Sequence, residues 1–269
     1  MPLLMGIVNV TPNSFSDGGC YLEPAAAVDH ALELVAQGAD LIDVGGESTR
    51  PGAPPVEAAE ELRRVLPVIT ALAGRIAAPL SIDTFKASVA REAIAAGAQI
   101  VNDVTALTGD PAMLDVALQS GCGLCAMHTP GMPQTMQSLA HYGSVVEDVL
   151  AYLRDRRDAL TAAGIDPARL ALDPGIGFGK TTEHNLLLLR AAGRFHELGC
   201  PLLYGVSRKR FIGEILGQPE SNRTAGTIGV ALALTRQGVQ VLRVHDVGPV
   251  REALRMYQVA GGLGMSEEG

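Results

Sequence analysis

The chain has 269 residues, a formal net charge of −8 at pH 7 and no tryptophan, and only 4% of its residues are aromatic. This length suits one large α/β domain or two small ones, and with so few aromatic residues Ala, Val, Ile and Leu must form the core. The acidic balance argues against nucleic acid and anionic membranes as partners, although a locally positive site can still bind a small anionic ligand.

Short apolar runs alternate with helical patterns along the chain. The runs are continuously apolar, which is typical of parallel strands that are buried on both faces. The eight predicted strands are residues 3–10, 39–45, 79–83, 99–103, 123–128, 170–173, 202–207 and 241–246. The eight predicted helices are residues 25–37, 56–72, 89–96, 113–119, 145–163, 183–189, 223–237 and 250–259.

Eight strand–helix units in about 250 residues predict a single (β/α)8 TIM barrel, whose active site lies at the C-terminal ends of the strands. A doubly wound open sheet is the structural alternative. Eight regular units without an interrupting domain favour closure into a barrel. We expect residues 1–260 to form this one domain and residues 261–269 to form a C-terminal tail.

The cysteines and the start of the chain indicate the compartment. The single CxxC pattern, at Cys122 and Cys125, has no second pair to complete a zinc site, so both are interpreted as small buried apolar residues. The chain opens without a basic, cleavable leader, and no apolar run approaches the ~20 residues that span a bilayer. We therefore expect a reducing, cytoplasmic location.

The first predicted strand ends in a chemically varied loop. Asn9 offers an amide, Phe15 an aromatic face and Asp17 a carboxylate ahead of two glycines. A loop that only reverses the chain needs no aromatic residue, so we interpret this loop as functional. The alternative is a polar surface loop that caps the next helix.

Polar or ionisable residues follow every predicted strand, and in a barrel these positions converge on one rim. This convergence is difficult to explain by structural needs alone. The residues are Asn9 after strand one, Asp43 and Glu47 after strand two, Asp83 and Thr84 after strand three, Asn102 and Asp103 after strand four, Met127 and His128 after strand five, Asp173 to Lys180 after strand six, Ser207 to Arg210 after strand seven, and Arg243, His245 and Asp246 after strand eight.

Three of these residues form a first group. Asp83, Asn102 and Asp173 can accept and donate in a plane, which suits the edge of a flat amino-pyrimidinone heterocycle. Each also has a structural alternative: Asp83 as the N-cap of the next helix, Asn102 as a partner of neighbouring backbone, and Asp173 as a cap for the glycine-rich turn.

A second group suits a phosphorylated ligand. Strand eight lies beside strand one in a closed barrel, so Asn9, Arg243 and His245 are expected to meet. Asn9 can supply one oxygen to Mg²⁺, which takes its other ligands from waters and phosphate. His245 alone is an ambiguous strand histidine. The ammonium of Lys209 can contact a heterocycle, whereas Arg208 and Arg210 are expected to face outward into salt bridges.

Long motifs in these positions resemble dihydropteroate synthases, the folate-pathway family that sulfonamides target. The motifs are NVTPNSFSDGG (9–19), GADLIDVGGESTRPGA (38–53), SIDT (81–84), VNDV (101–104), MHxxGxPxxMQ (127–137), LDPGIGFGK (172–180), SRKRFIG (207–213) and RVHDV (243–247). They cover nearly the whole chain in the family's order and spacing. The resemblance implies condensation of 6-hydroxymethyl-7,8-dihydropterin pyrophosphate with 4-aminobenzoate, which gives 7,8-dihydropteroate and pyrophosphate.

The resemblance also implies site residues, which we carry over by position. The implied catalytic residues are Asp17, Lys209 and Arg243. The pterin-binding residues are Asp83, Asn102, Met127, Asp173 and Lys209, and the pyrophosphate-binding residues are Asn9, Arg243 and His245, with Mg²⁺ on Asn9. The 4-aminobenzoate-binding residues are Phe15, Thr49, Arg50, Pro51, Phe178 and Ser207. A homodimer is expected because the family is commonly dimeric.

One position departs from the family pattern, in which Asp usually stands where this chain has Asn13. The amide keeps the shape of the carboxylate and loses its charge, so we expect activity to survive, at a reduced level. Two rival functions remain: a pterin-binding methyltransferase that serves a corrinoid, and a pterin-binding paralogue without catalysis. The methyltransferase has no use for the Phe15 loop or the run from Ser207 to Lys209.

Overall fold

The structure, a computed structural model, describes residues 1–11, 24–49, 52–132 and 134–263. Within these ranges eight strands alternate with helices along the chain. The strands are β1 (Leu3–Asn9), β2 (Leu41–Gly45), β3 (Leu80–Asp83), β4 (Ile100–Asp103), β5 (Gly123–Met127), β6 (Leu170–Asp173), β7 (Leu203–Gly205) and β8 (Val241–Val244). All seven ladders between them are parallel.

The described α-helices match the eight predicted ones within a few residues and add one short helix. They are α1 (Pro24–Ala36), α2 (Ala58–Leu72), α3 (Ala87–Ala95), α4 (Met113–Ser120), α5 (Val145–Ala162), α6 (Thr182–Arg190), α7 (Arg210–Leu216), α8 (Thr224–Arg236) and α9 (Val247–Val259). The seven-residue α7 was not predicted, because two turns are too short for a helical repeat to be visible in the sequence.

The sheet closes into a barrel, which confirms the predicted fold and excludes the open sheet. β1 pairs with both β2 and β8, and the strand order is β6-β5-β4-β3-β2-β1-β8-β7. A parallel bridge between Leu172 and Leu202 joins the remaining edges, and the Leu172 amide donates to the Pro201 carbonyl at 2.9 Å. The strand ends therefore form one rim.

Two apolar layers hold the barrel together. The larger layer lies between the strands and the helices, and side chains such as Leu4, Ile42 and Ile82 are fully buried in it. A smaller cluster contains one residue from each of five strands: Met5, Leu41, Cys125, Leu203 and Val241. Leu41, Leu203 and Val241 start their strands, so this cluster fills the barrel interior below the rim and restricts polar chemistry to the carboxyl end.

The cysteines in the described part of the chain behave as predicted for Cys122 and Cys125. Both are buried free thiols, as is Cys200. In the same residues no helix has the length and apolar character needed to cross a membrane. The tail predicted at 261–269 follows α9, and its last six residues, 264–269, lie outside the described ranges; that boundary stays a prediction.

Candidate active site

The strand register places Asn9, Asp83 and Asn102 along one part of the rim. Asn9 pairs with Gly45, Gly45 with Asp83, and Asp83 with Asn102. Further around the rim, Met127 pairs with Asp173. Parallel pairing carries each side chain into the same layer as its partner, so residues far apart in the sequence become neighbours.

The side chains of Asp43, Asp83, Asn102 and Arg243 form a connected cluster, which we call the floor cluster. Arg243 Nε donates to Asp43 Oδ2 at 2.6 Å, and Arg243 Nη2 donates to Asp83 Oδ2 at 2.7 Å. The Asn102 amide donates to the same Asp43 oxygen at 3.1 Å. One guanidinium thus ties together residues that the sequence had assigned to separate heterocycle and phosphate groups.

Asp43 is the member of the floor cluster that the predicted site omits. Its side chain is completely buried, and its Oδ1 has no hydrogen-bond partner among the described residues. The sequence offered one signal, namely a carboxylate within an apolar strand. Its role could not be read because a distant strand supplies its cation.

Burial and charge oppose each other in this cluster. Burial raises the pKa of Asp83, against the stabilising effect of the neighbouring Arg243 guanidinium. Burial alone would lower the pKa of Arg243, but the Asp43 and Asp83 carboxylates outweigh it and raise that pKa. Arg243 therefore stays charged at any working pH.

The structure decides two of the structural alternatives. The Ala87 amide, at the start of α3, donates to Asp110 Oδ2 at 2.9 Å, so Asp110 occupies the capping role considered for Asp83. Asn102 uses its amide on a side chain, Asp43, rather than on neighbouring backbone. The side chains of Asp83 and Asn102 therefore both belong to the floor cluster.

For Asp173 the structural alternative is correct in part. Its Oδ1 accepts from the Gly175 amide at 2.7 Å, which caps the glycine-rich turn. A carboxylate has about four lone-pair positions, so this contact leaves capacity for a ligand. Burial raises the pKa of Asp173 to about 6, although the Gly175 amide and the Lys209 charge favour its ionised form.

Residues 174–180, which we call the glycine-rich loop, pack so closely that two positions exclude any side chain. A Cβ on Gly175 would lie 2.0 Å from the His128 carbonyl oxygen, and one on Gly179 would lie 2.2 Å from Pro130 Cγ. Both glycines also have positive φ, +70° and +56°. The loop therefore has one tightly defined path against the end of β5.

Side chains of the long segment 129–142 contact the backbone of two neighbouring loops. Gln137 Nε2 donates to the Gly177 carbonyl at 3.3 Å, and the Tyr142 hydroxyl donates to the Gly179 carbonyl at 2.9 Å. Gln134 Nε2 donates to the Ala53 carbonyl, after β2, at 3.3 Å. The segment therefore braces the loops that follow β2 and β6.

Lys209 and Phe178 meet at the edge of this loop. The Lys209 ammonium lies 4.3 Å from the centre of the Phe178 ring, a cation–π contact. A Cβ on Gly177 would lie 3.1 Å from Lys209 Cδ, so the loop backbone also follows the lysine stem. Burial lowers the pKa of Lys209 to about 8, although the charge of Asp173 favours its protonated form.

Ser207 and His245 link the ends of β7 and β8. The His245 backbone amide donates to Ser207 Oγ at 3.1 Å, and His245 Nδ1 lies 3.0 Å from the same oxygen. Burial, reinforced by the Arg243 charge, lowers the pKa of His245 to about 3, so the ring is neutral near pH 7. A neutral imidazole can offer a donor or an acceptor to an anionic ligand.

The arginines that flank Lys209 take the outward salt bridges predicted for them. Arg208 pairs with Asp246, and its backbone has a positive φ of +56°. Arg210 Nε lies 2.8 Å from Glu214 Oε1 on the exposed face of α7. These contacts fix the turn from which Lys209 projects.

A buried ionic cluster that the prediction missed anchors the loop after β2. The Lys86 ammonium contacts the carboxylates of both Glu47 and Glu61, and Glu47 Oε1 also accepts from the Val56 amide at 3.2 Å. Thr49, a predicted aminobenzoate residue, is half-buried two residues beyond Glu47. The available signal was the rarity of lysine, since the chain contains only Lys86, Lys180 and Lys209.

Several predicted residues lie outside the described ranges: Asn13, Phe15, Asp17, Arg50 and Pro51. Their roles stay predictions. Within the described ranges no cluster of three or more His, Cys, Asp or Glu residues could hold a metal ion by itself. A Cβ on Gly45 would lie 3.8 Å from Asn9 Oδ1 and 3.6 Å from Asp83 Oδ2, so these two oxygens flank one glycine. Asp83 Oδ2 already accepts from Arg243, so Asn9 Oδ1 is the oxygen that suits a Mg²⁺ ion that brings most of its ligands with a phosphate.

Comparison with known proteins shows the family of this chain. Residues 5–245 match the family described as pterin binding enzyme. The chain is 44% identical over 257 residues to the dihydropteroate synthase of Escherichia coli K12, over 96% of this chain and 91% of the relative.

Two solved structures are similar over nearly their whole length. Xanthomonas albilineans dihydropteroate synthase with 4-aminobenzoic acid has a TM-score of 0.91 and 49% identity, covering 96% of this chain and 93% of that one. Yersinia pestis dihydropteroate synthase, in a sulfonamide drug complex, has a TM-score of 0.92 and 43% identity, covering 97% and 94%.

Proposed function

Because this chain belongs to the dihydropteroate synthases of the pterin-binding enzyme family, we propose how its residues divide the work of that reaction. The reaction condenses 6-hydroxymethyl-7,8-dihydropterin pyrophosphate with 4-aminobenzoate in folate biosynthesis. The bond between the exocyclic carbon and the pyrophosphate oxygen breaks, and the aniline nitrogen bonds to that carbon. The products are 7,8-dihydropteroate, pyrophosphate and a proton.

The pterin is held between the floor cluster and the glycine-rich loop. Asp173 and Asn102 bind the amino-pyrimidinone edge, since a carboxylate and an amide match its alternating donors and acceptors. Asp83 and Lys209 bind the other polar positions of the ring. The buried Met127, beside Asp173 in the register, packs nearby. The support for this seat is the adjacency of these groups on the rim.

Pyrophosphate is held by Asn9, Arg243 and His245. A guanidinium has five N–H donors. Asp43 and Asp83 each accept from one donor of Arg243, so its other donors can bind the leaving pyrophosphate while the contacts within the floor cluster are kept. Developing negative charge on the departing oxygen is stabilised by this preorganised cation.

We propose Mg²⁺ as the cofactor, with Asn9 as its protein ligand. The floor cluster has two carboxylates for one guanidinium, so a polyanion placed there benefits from an accompanying divalent cation. The bound ion would neutralise charge on the leaving pyrophosphate. The side-chain oxygen of Asn9 would hold the ion, and Arg243 would donate hydrogen bonds to the phosphate oxygens.

4-Aminobenzoate is bound by Phe178, Ser207 and Thr49, together with Phe15, Arg50 and Pro51. The pterin can delocalise positive charge from the exocyclic carbon, so we propose that ionisation precedes attack by the neutral aniline nitrogen. A strong general base is then unnecessary. Asp17, on the loop after β1, would stabilise the cationic intermediate. Positional isotope exchange in the pyrophosphate without aminobenzoate would support this order, and strict dependence on aminobenzoate would contradict it.

The floor cluster is the single observation that carries this proposal. It places a permanently charged guanidinium at the barrel mouth in contact with Asp83 and with Asp43, the carboxylate that also accepts from Asn102. The test is pyrophosphate release from the pterin substrate with and without 4-aminobenzoate. Release that rises with aminobenzoate and is inhibited by a sulfonamide supports the synthase; pterin binding without any release supports a paralogue that has lost catalysis.

We also propose a cytoplasmic homodimer. Exposed apolar side chains on neighbouring helices support association: Leu187 on α6, and Ile215 and Leu216 on α7. The free thiols of Cys122, Cys125 and Cys200, the cysteines among the described residues, suit a reducing compartment. Light scattering of the wild type and of Ile215→Glu tests the dimer, which the substitution should dissociate if this face is buried. An unchanged mass for Ile215→Glu would contradict that interface.

A further inference from the structure

Lys180 is a buried lysine without a role in the division of work proposed above. Only 4% of its surface is exposed, and lysine is rarely buried to this extent without specific partners. Its Nζ lies 3.0 Å from His128 Nδ1 and donates to the Phe178 carbonyl at 2.9 Å. The amine thus joins the end of β5 to the glycine-rich loop.

The protonation states allow both contacts. Burial lowers the pKa of His128 to about 3, so its ring is neutral and Nδ1 can accept a hydrogen bond. Burial also lowers the pKa of Lys180 to about 7. Both the ammonium and the neutral amine carry N–H groups, so the link persists across neutral pH.

Lys180 is the buried member of a set of three donors. Three successive loop carbonyls each accept from one side chain: Gly177 from Gln137, Phe178 from Lys180, and Gly179 from Tyr142. Gln137 is exposed and Tyr142 is half-buried. Water can replace an exposed donor more readily than a buried one, so the Phe178 carbonyl depends most on its side-chain partner.

The position of this carbonyl bears on the reacting groups. The same residue places its ring over the Lys209 ammonium, and the Gly177 backbone follows the Lys209 stem. A small shift of the loop would therefore move the Phe178 ring away from Lys209. Misplacement of about 1 Å at an active site can cost roughly 100-fold in catalytic efficiency.

We propose that Lys180 is a positioning residue that holds Phe178 against His128, fixing the aromatic ring that covers Lys209 and receives 4-aminobenzoate. This inference rests on the proposed function, which assigns Phe178 to aminobenzoate and Lys209 to the pterin. Lys180 acts through Phe178 and need not contact either substrate.

The first experiment is Lys180→Met, which keeps the length of the stem and removes the donor. We expect the KM for 4-aminobenzoate to rise about tenfold or more, the loss expected when a buried carbonyl is left without its hydrogen-bond partner. We expect kcat to change less than threefold. Tyr142→Phe, which removes the donor to the adjacent carbonyl, is the matched control and should change this KM by less than threefold.

A double-mutant cycle separates positioning from general stability. In a Phe178→Leu background, Lys180→Met should change the KM for aminobenzoate by less than twofold, because the ring on which it acts is already absent. Effects that multiply fully in the double variant would overturn the inference. If Lys180→Met fails to fold, Lys180→Gln, which keeps a shorter donor, replaces it and is judged by the same non-additivity.

The outcome also separates the two proposals. A wild-type protein that releases no pyrophosphate in the presence of aminobenzoate contradicts the proposed function. An active wild type whose Lys180→Met variant keeps its aminobenzoate KM within twofold contradicts the role of Lys180 alone.

Discussion

The two halves of the barrel mouth are built differently. In the half from β1 to β4 with β8, the polar groups of the floor cluster are strand residues, and Arg243 neutralises carboxylates from two other strands. In the half from β5 to β7, Asp173 ends β6, whereas Phe178, Lys180 and Lys209 lie on loops. The Gly175 amide donates to Asp173, and Lys180 donates to the Phe178 carbonyl, so this half depends on contacts with loop backbone. The floor cluster in the first half has two carboxylates for one guanidinium, whereas in the second half the charges of both Lys180 and Lys209 act on Asp173.

This difference shows two ways in which a barrel fixes the polar groups at its mouth. Strand residues are fixed by the ladder, so their charges can be held in direct ion pairs. Loop residues must be fixed by capping and tight packing, which is why the second half needs glycines and bracing side chains. The following substitutions challenge this contrast.

Removing the cation of the strand-built half should have the largest effect. Arg243→Met leaves the Asp43 and Asp83 carboxylates buried without a counter-charge, so we expect a loss of about 3–5 kcal/mol in the free energy of unfolding at pH 7. Urea denaturation measures it. Arg154→Met, which removes an exposed pair with Glu197, is the control and should lose at most about 1 kcal/mol. Equal losses would contradict the contrast.

Lys209→Met should lower kcat/KM for the pterin substrate about 100-fold, the scale of losing a buried charge-assisted contact. The wild-type profile of kcat/KM against pH should be bell-shaped. Activity rises as Asp173 loses its proton near pH 6 and falls as Lys209 loses its proton near pH 8.

Lys209→Arg provides the control for this profile. Arginine stays charged, so the alkaline limb should move to higher pH even if the maximum is lower. An alkaline limb that stays in place would show that another group is responsible for it.

The seam between the halves is tested by Ser207→Ala. Without the hydroxyl, the ring and the backbone amide of His245 both lose their partner. We therefore expect kcat/KM for the dihydropterin pyrophosphate substrate to fall about tenfold. Ser81→Ala is the matched control, because Ser81 is buried in β3 and its hydroxyl has no partner among the described residues. An effect of similar size in Ser81→Ala would assign the loss to packing.

The smallest effect is expected at Asn13, which follows β1 in the sequence. Asn13→Asp restores the carboxylate usual in the family, and we expect a few-fold rise in kcat or a lower Mg²⁺ requirement, since a nearby carboxylate stabilises a cation. Titration of Mg²⁺ at saturating substrate measures both. No change in either quantity would show that charge at position 13 is unimportant here.

The sequence by itself determined the fold and most of the strand-built half. Continuous apolar runs locate β1 to β8, and the residue after each run must lie on the rim once the barrel closes. Asp83 and Asn102 could therefore be placed near each other, and Arg243 near Asn9, from the sequence alone. Motif order and spacing further identified the family that the comparisons confirm.

Only the tertiary structure decided which groups pair. Asp43 meets Arg243 across 200 positions of sequence, and Lys180 meets His128 across 52. A run of apolar residues in the sequence indicates that a strand is buried. An ion pair depends instead on side chains from several strands, whose order around the barrel is set by its closure. The positions of Lys180 and Phe178 depend further on the path of the glycine-rich loop. The sequence of this loop has no hydrophobic periodicity from which its path could be predicted.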